Sequence, residues 1–467
     1  MLGRTSQRTT IEMLSEDTLL EIFYIYRLDT MVWSRDGHQW NWLCLAHVCR
    51  RWRDVISISP QRLGLWILCK SGAPIDRILG SWSTVPLILR FKGSTKFESL
   101  PDNITAALRH RDRICEIDLA VTSPVAGPIV EAIREPFQEL KSIRITVKDD
   151  TGPPLLVCNM FLGGSAPHLR EINLDGISFP FPAIRQVLSS TNNLVELHLS
   201  SIPNDAYFSP DDLITSLSAL VQLERLTVGF YSPTSCPPPS MTRPPPQRRS
   251  TLPSLTFLEF HGASEYLEEL VVQIDLPALC KVSIRFFNQM FFETPQFCQF
   301  ILRLKALRSP TWVFVTHSVE SVSIFFVQEG KPSNENCFVG SSCRRLDWQL
   351  SFVTQISNQL SPLLSGVQSL SIKKDRNLPT GEEDVDSTQW LELFQPFTHV
   401  TQVYVWEKNF VPGIVQALAA EGVAAGALPE LSALYLSGYR ASPSVAKAAQ
   451  QFVDARELSG RAVRLFG

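Results

Sequence analysis

At 467 residues the chain has room for two or three ordinary domains, or for one small domain and an extended repeat array. With 44% hydrophobic and 19% charged residues, most of it is expected to pack rather than stay disordered. A formal net charge of -3 gives no electrostatic ground for nucleic-acid binding, and no 18-residue apolar run argues for a membrane span.

The start, MLGRTSQRTTIEML, lacks an apolar core followed by a small-residue cleavage site, so export is not expected. The ten cysteines contain no Cys-x-x-Cys pair, and the eight histidines no His-x-x-x-His pair. Reduced, mostly buried thiols in an intracellular protein, cytoplasmic or nuclear, are the expectation.

Residues 1–11 read as a disordered tail. From Ser15 the apolar positions Leu14, Leu19, Leu20, Ile22 and Phe23 predict a short helix, with Ser15 as cap and Glu16 and Asp17 in the first turn. A second helix is predicted from Trp42 to Ile56: Leu45, Val48, Cys49, Trp52 and Ile56 recur at three- and four-residue steps, and Pro60 ends it. Cys49 is placed on the apolar face, as a packed thiol. So few helices bury too little apolar surface to consume these faces, which suggests docking. The competing reading makes them a terminal cap of the following domain.

Residues 12–66 resemble an F-box. The segment LSEDTLLEIF is similar to the family's Leu-Pro-x-Glu-x-Leu-x-x-Ile-Phe, with Ser15 where proline is usual, and LCLAHVCRRWRDVISISPQRL is similar to the form in many fungal members. The insert around Arg35-Asp36-Gly37 is expected as a surface loop. The resemblance implies binding of a Skp-family adaptor, and through it a cullin scaffold. The residues it places there are Leu14, Leu19, Leu20, Ile22, Phe23, Leu45, Val48, Cys49, Trp52 and Ile56.

Residues 67–112 read as a linking and capping segment, with Leu63, Leu65, Trp66, Ile67 and Leu68 as a packed joint. From 113 to 467 the spacing apolar-x-x-apolar-x-apolar recurs, starting at Ile114, Leu140, Leu169, Leu194, Leu223, Leu255, Leu279, Val319, Val367, Val400 and Leu431. The starts lie 24 to 48 residues apart, and the long separations flag insertions at 236–250, 328–345 and 376–387. The last two apolar positions of each unit predict a short strand facing a core. Helical stretches are predicted at 181–190, 211–220, 264–272, 295–305, 388–394, 412–420 and 444–458. LILRF at 87–91 and WVFV at 312–315 read as strands outside the repeat phase. The pattern resembles an irregular leucine-rich repeat, without the family's asparagine-led turn in most units. The expected fold class is therefore α/β: a small helical F-box, then a solenoid of parallel strands with helical crossovers.

Within the insertions, CPPPSMTRPPPQRRS (236–250) reads as a stiff exposed loop, bare or open to a proline-binding domain, and GEEDVDS (381–387) as a solvated acidic loop. No phosphate loop, nucleophile elbow or zinc-protease motif occurs, and Gly163-Gly164 reads as a turn. No cofactor, no metal and no intrinsic catalysis are expected. What the F-box resemblance implies is the substrate-recognition subunit of a Skp–cullin–F-box ubiquitin ligase. The alternative is a non-catalytic scaffold acting outside ubiquitin transfer. A protein target is expected on outward positions of the repeat strands, centred on Tyr404, Trp406 and Tyr435, with His198, Glu259, His261, Lys281 and Arg285 as a polar rim.

Overall fold

A computed structural model describes residues 11–32, 41–60, 62–69, 76–92, 101–148, 154–156, 160–235, 249–289, 291–304, 310–328, 337–374, 387–420, 427–438 and 442–467. The chain forms two compact units, Met1–Asn193 and Leu194–Gly467. Residues 1–10 of the expected tail, the insert at Arg35–Gly37, residues 236–248 and most of the acidic loop lie outside the described residues.

The first unit opens with α1 (Glu16–Val32), α2 (Asn41–Val48) and α3 (Arg50–Ile58). The helix expected from Trp42 to Ile56 is thus two. Cys49 breaks it with extended backbone, φ -156° and ψ 170°, and its thiol accepts the Trp52 N–H at 3.4 Å, capping α3. Cys49 is therefore exposed at a helix start, not packed on an apolar face. Ser15 caps α1 as expected, accepting from the Thr18 N–H at 3.2 Å.

Five parallel strands follow in sequential order: β1 (Ile67–Cys69), β2 (Leu87–Lys92), β3 (Ile114–Val121), β4 (Ser142–Val147) and β5 (Glu171–Asp175). The segment 67–112, expected to link and cap, supplies β1 and β2 at the end of the sheet, where they pair in parallel with each other and β2 with β3. The short helices α4 (Asp76–Ser81), α5 (Asp102–Leu108) and α6 (Gly127–Ala132) and the longer α7 (Phe181–Ser190) are the crossovers that parallel strands require. Arg113 is buried there and donates to the carbonyls of Val85 at 2.8 Å and Leu79 at 3.2 Å, and to that of Trp82. It ties the turn after α4 to the start of β3. Leu63, Leu65, Ile67 and Leu68 are buried, so the expected joint is packed. Arg27 donates to the Leu63 carbonyl at 2.7 Å and lies over the Trp66 ring.

The second unit carries β6 (Glu196–Ile202), β7 (Arg225–Phe230), β8 (Phe257–Gly262), β9 (Lys281–Phe286), β10 (Trp312–His317), β11 (Val322–Val327), β12 (Cys337–Ser341), β13 (Ser369–Lys374), β14 (Gln402–Val405), β15 (Ala433–Leu436) and β16 (Arg464–Phe466). In space the order is β6-β7-β8-β9-β12-β11-β10-β13-β14-β15-β16. All neighbours are parallel except β11, which is antiparallel to β10 and β12. The crossovers are α8 (Pro210–Leu217), α9 (Ser264–Gln273), α10 (Pro295–Arg303), α11 (Leu346–Gln359), α12 (Ser361–Leu364), α13 (Ser387–Phe394), α14 (Val411–Ala420) and α15 (Pro443–Leu458).

The repeat spacing places the core. In every unit the fourth and sixth positions are buried, from Ile117 and Leu119 to Leu434 and Leu436. The first position is buried too, except Val319, which is half-buried. That exception marks the antiparallel strand: its alternation matches a repeat strand, but no repeat turn precedes it. The region 328–345 is correspondingly not a plain insertion, since it contains β12. Backbone bonds extend the parallel ladder one step before several strands, as in Thr401 N–H to Gln368 O at 2.9 Å and Ser432 N–H to Thr401 O at 2.9 Å. Each unit is a mixed α/β array on a mostly parallel sheet, consistent with a leucine-rich-repeat-like solenoid.

Candidate functional site

Two surfaces carry the residues singled out by sequence. In the helical module, Leu19, Leu20, Phe23 and Ile56 are buried in the module's own packing, with Ala46 and Val55. They build the module and do not offer surface to a partner. Trp52 is half-buried, its ring 4.7 Å from that of Phe23, and Leu14 and Leu45 are half-buried as well. Of the expected adaptor contacts, Ile22 and Val48 are exposed, Val48 at 60%, as is the Cys49 cap.

Helix α1 has a second apolar strip that the sequence reading did not separate from the first. Ile22, Ile25 and Leu28 recur three residues apart and are all exposed, while Leu19, Leu20 and Phe23 occupy the opposite side. A helix apolar on both sides shows no simple amphipathic period, which is why the strip was not resolved from spacing alone. Asp17 and Arg62 pair at 3.1 Å in open solvent, so the pair adds little stability.

The second surface is the open face of the Leu194–Gly467 sheet. A single register row runs His198–Thr227–Glu259–Ser283–Phe338–Phe325–Phe314–Ser371–Tyr404–Tyr435–Phe466, each residue opposite the next. Four expected contact residues, His198, Glu259, Tyr404 and Tyr435, therefore share one line. The five strands carrying Ser283, Phe338, Phe325, Phe314 and Ser371 separate the first pair from the second.

At the polar end most groups are engaged with neighbours. His198 shares a 2.7 Å hydrogen bond with Ser200, and Glu259 accepts from Thr227 at 3.3 Å. Arg225 and Lys281 flank the Phe257 ring, and exposed Arg285 lies over Phe338. His261 leans on the Phe287 ring at 4.8 Å with its Nε2 buried and without a hydrogen bond. Burial, with Arg285 second, pushes its pKa down to about 4.

The aromatic end is a stack. Tyr404 lies 4.4 Å from Tyr435 at 6° between planes, and Tyr435 lies 4.6 Å from Phe466 at 12°. Trp312 stacks on Tyr404 at 5.4 Å and on Phe314 at 5.5 Å. Small residues allow this closure: Ser369 and Ser371 of β13 are buried beneath the rings, and Trp406 donates its indole N–H to Ser371 Oγ at 2.9 Å. Tyr404 and Tyr435 are half-buried and Trp406 is 60% exposed, so none of the three is withdrawn into the core. Phe410, four residues farther along, is buried against His317 and Trp390. Trp312, Phe314, Ser371 and Phe466 belong to this surface but were not singled out by sequence. The signal for Trp312 and Phe314 lay in the strand WVFV. Phe466 sits in a strand too short to show a period.

No family model matches the chain, and no curated protein does. Among solved structures it is similar to the leucine-rich repeat-containing protein LegL7 from Legionella pneumophila, at 13% identity and a TM-score of 0.28, over 72% of this chain and 95% of that one. The F-box likeness of residues 12–66 stays with the residues that suggested it.

Among the described residues no group of His, Cys, Asp and Glu is placed to hold a metal ion, and no helix is long and apolar enough to cross a membrane. The buried thiols are poor nucleophiles: desolvation raises Cys69 to about 12 and Cys298 and Cys343 to about 11.

Proposed function

We propose that the chain is a non-catalytic receptor: its helical module docks on a Skp-family adaptor linked to a cullin scaffold, and its repeat sheet holds a protein target for ubiquitin transfer. The observation that carries the reading is the second apolar strip of α1. Ile22, Ile25 and Leu28 face away from the module's core, and Val48 adds exposed apolar area. Together with the F-box-like residues, that strip suits a helix-packing partner. The packed joint between the module and β1 supports a positioning role, since a firm attachment fixes the distance between adaptor and target.

Affinity capture of the full chain, beside the Ile22→Asp and Val48→Asp double variant, tests this. Recovery of adaptor and cullin by the parent chain alone supports the ligase reading. Adaptor without cullin favours a scaffold outside ubiquitin transfer. Equal recovery by parent and variant removes the docking surface.

A further inference from the structure

On the open face of β14, β15 and β16, Tyr404, Tyr435 and Phe466 stand opposite one another, and Trp406 stands one pleat farther along its strand. Between that row and Trp406 lies a groove of about 470 Å³, completed by Ser437 and Gly467. We propose that this groove binds a polyproline II segment of a target protein, its prolines against the rings and its carboxylates toward a basic rim. This deepens the reading of the sheet as a target surface and rests on it.

Three features select that class. The first is stiffness. Trp406 and Tyr404 are parallel within 8° at 6.2 Å, and Tyr404 is itself held by Tyr435, so the walls lose little freedom on binding. The second is the shortage of free polar groups. The indole N–H of Trp406 is committed to Ser371, and the Tyr404 hydroxyl donates to Gln402 Oε1 at 2.7 Å. Strands β14 and β15 are paired on both sides, so their backbone offers no free ladder beneath Trp406, Tyr404 and Tyr435. A sugar or a nucleobase edge would surrender hydrogen bonds to water here without replacement. Proline has no N–H to strand, and a polyproline II helix can lay its pyrrolidine rings on the aromatic walls while its carbonyls stay turned to water. Aromatic-lined grooves take such segments because the polyproline II helix is preformed and loses little entropy on binding.

The third feature is charge. Lys373 lies beside Trp406 in the next strand, over the Phe314 ring at 4.6 Å, and Lys408 and Arg464 are exposed, two residues after Trp406 and two before Phe466. The nearby acid Glu407 is turned back to accept the Asn409 N–H at 3.1 Å. Polyproline II repeats every three residues, so an acid at each third position forms one ridge facing these cations while the prolines face the rings. The chain's own proline-rich segment carries Arg243, Arg248 and Arg249, which would set like charges opposite the rim.

The test is fluorescence anisotropy of the full chain with a labelled synthetic peptide of four Glu-Pro-Pro repeats. Trp406→Ala, an exposed site that circular dichroism should show still folded, is expected to weaken binding at least about tenfold, as loss of an aromatic anchor does. Ser371→Ala, which frees the indole but keeps the ring, should weaken it by roughly fivefold. Peptides of Glu-Ala-Ala or Lys-Pro-Pro repeats, and the segment 236–250 itself, should bind at least about tenfold more weakly. Equal binding by the Trp406→Ala chain, or by the Glu-Ala-Ala peptide, overturns the proposal. So does Trp406-dependent binding of chitohexaose or oligouridylate without the proline peptide. Adaptor capture through α1 is read separately, so failure here and failure of the receptor reading are distinguishable.

Discussion

Leu19 and Ile22 lie three residues apart on α1, yet aspartate at the two sites should give opposite results. Leu19 is fully buried and Ile22 is 40% exposed. Removing a buried leucine side chain costs about 2–5 kcal/mol, and a carboxylate in the same place must either lose its water or open the helix, adding roughly 2 kcal/mol or more. That sum rivals the ~5–15 kcal/mol that holds a whole domain. Aspartate at Ile22 meets solvent and costs about 1 kcal/mol, mostly in helix propensity. Helix α3 supplies the reporter, because Arg50, Arg51 and Arg53 are trypsin sites that open when the module does. In limited proteolysis across a urea series, Leu19→Asp should expose α3 without urea. Ile22→Asp should leave it as resistant as the parent while abolishing adaptor capture. If both variants protect α3 equally, the assignment of core and surface on α1 is wrong.

Trp52→Ala should cost about 2 kcal/mol, less than a fully buried tryptophan, read from the same urea midpoint. Arg113→Ala removes the side-chain donor to the carbonyls of Leu79, Trp82 and Val85, and should cost about 3 kcal/mol in chemical denaturation of the full chain. Gly176 has φ +69°, and a methyl group there would strike the Val147 carbonyl oxygen, so Gly176→Ala should destabilise the first unit in differential scanning calorimetry, whereas Gly80→Ala, with open space around it, should not. His317 is fully buried, bonded through Nδ1 to Gln349 at 2.8 Å, and burial lowers its pKa to about 4. The unfolded chain therefore binds this proton first, so stability present above about pH 6.5 falls as pH drops from there toward 4. A urea midpoint flat over that window would contradict the assignment of His317 as a buried neutral base.

The period-2 alternation of the strands was legible almost throughout, because burial of the sixth position after the fourth demands it whatever lies between. Strand direction was not. Val322 and Ile324 alternate as repeat residues do, and an antiparallel strand has the same side-chain period as a parallel one. The reversed order of β12, β11 and β10 therefore left no trace in the spacing, and CFVGS was absorbed into a loop. Helix α11 escaped for a related reason: Trp348, Gln349 and Ser357 interrupt its apolar face, although Gln349 is buried and donates to the carbonyls of Ser318 and Cys343. The break at Cys49 was invisible because cysteine is a weak acceptor and not a usual cap. Of the candidate site, Tyr404, Trp406 and Tyr435 stood out as outward aromatic residues. The rings that stack with them depend on which strands are neighbours, and that is fixed by the meander rather than by chain order.

The inverted meander also bears on how the protein is made. In an ordinary parallel array each new strand adds to the one just synthesised, and the growing edge is covered at once. Here the partner of β9 is β12, which leaves the ribosome only after β10 and β11. During that interval β9 presents an open row of backbone donors and acceptors, the condition under which nascent chains pair with one another. Its sequence, KVSIRF, carries Lys281 and Arg285 on the open face. Cations on a strand that must wait for its neighbour repel a second copy of the same edge. Their service during biogenesis is independent of any contact they make once the sheet is complete.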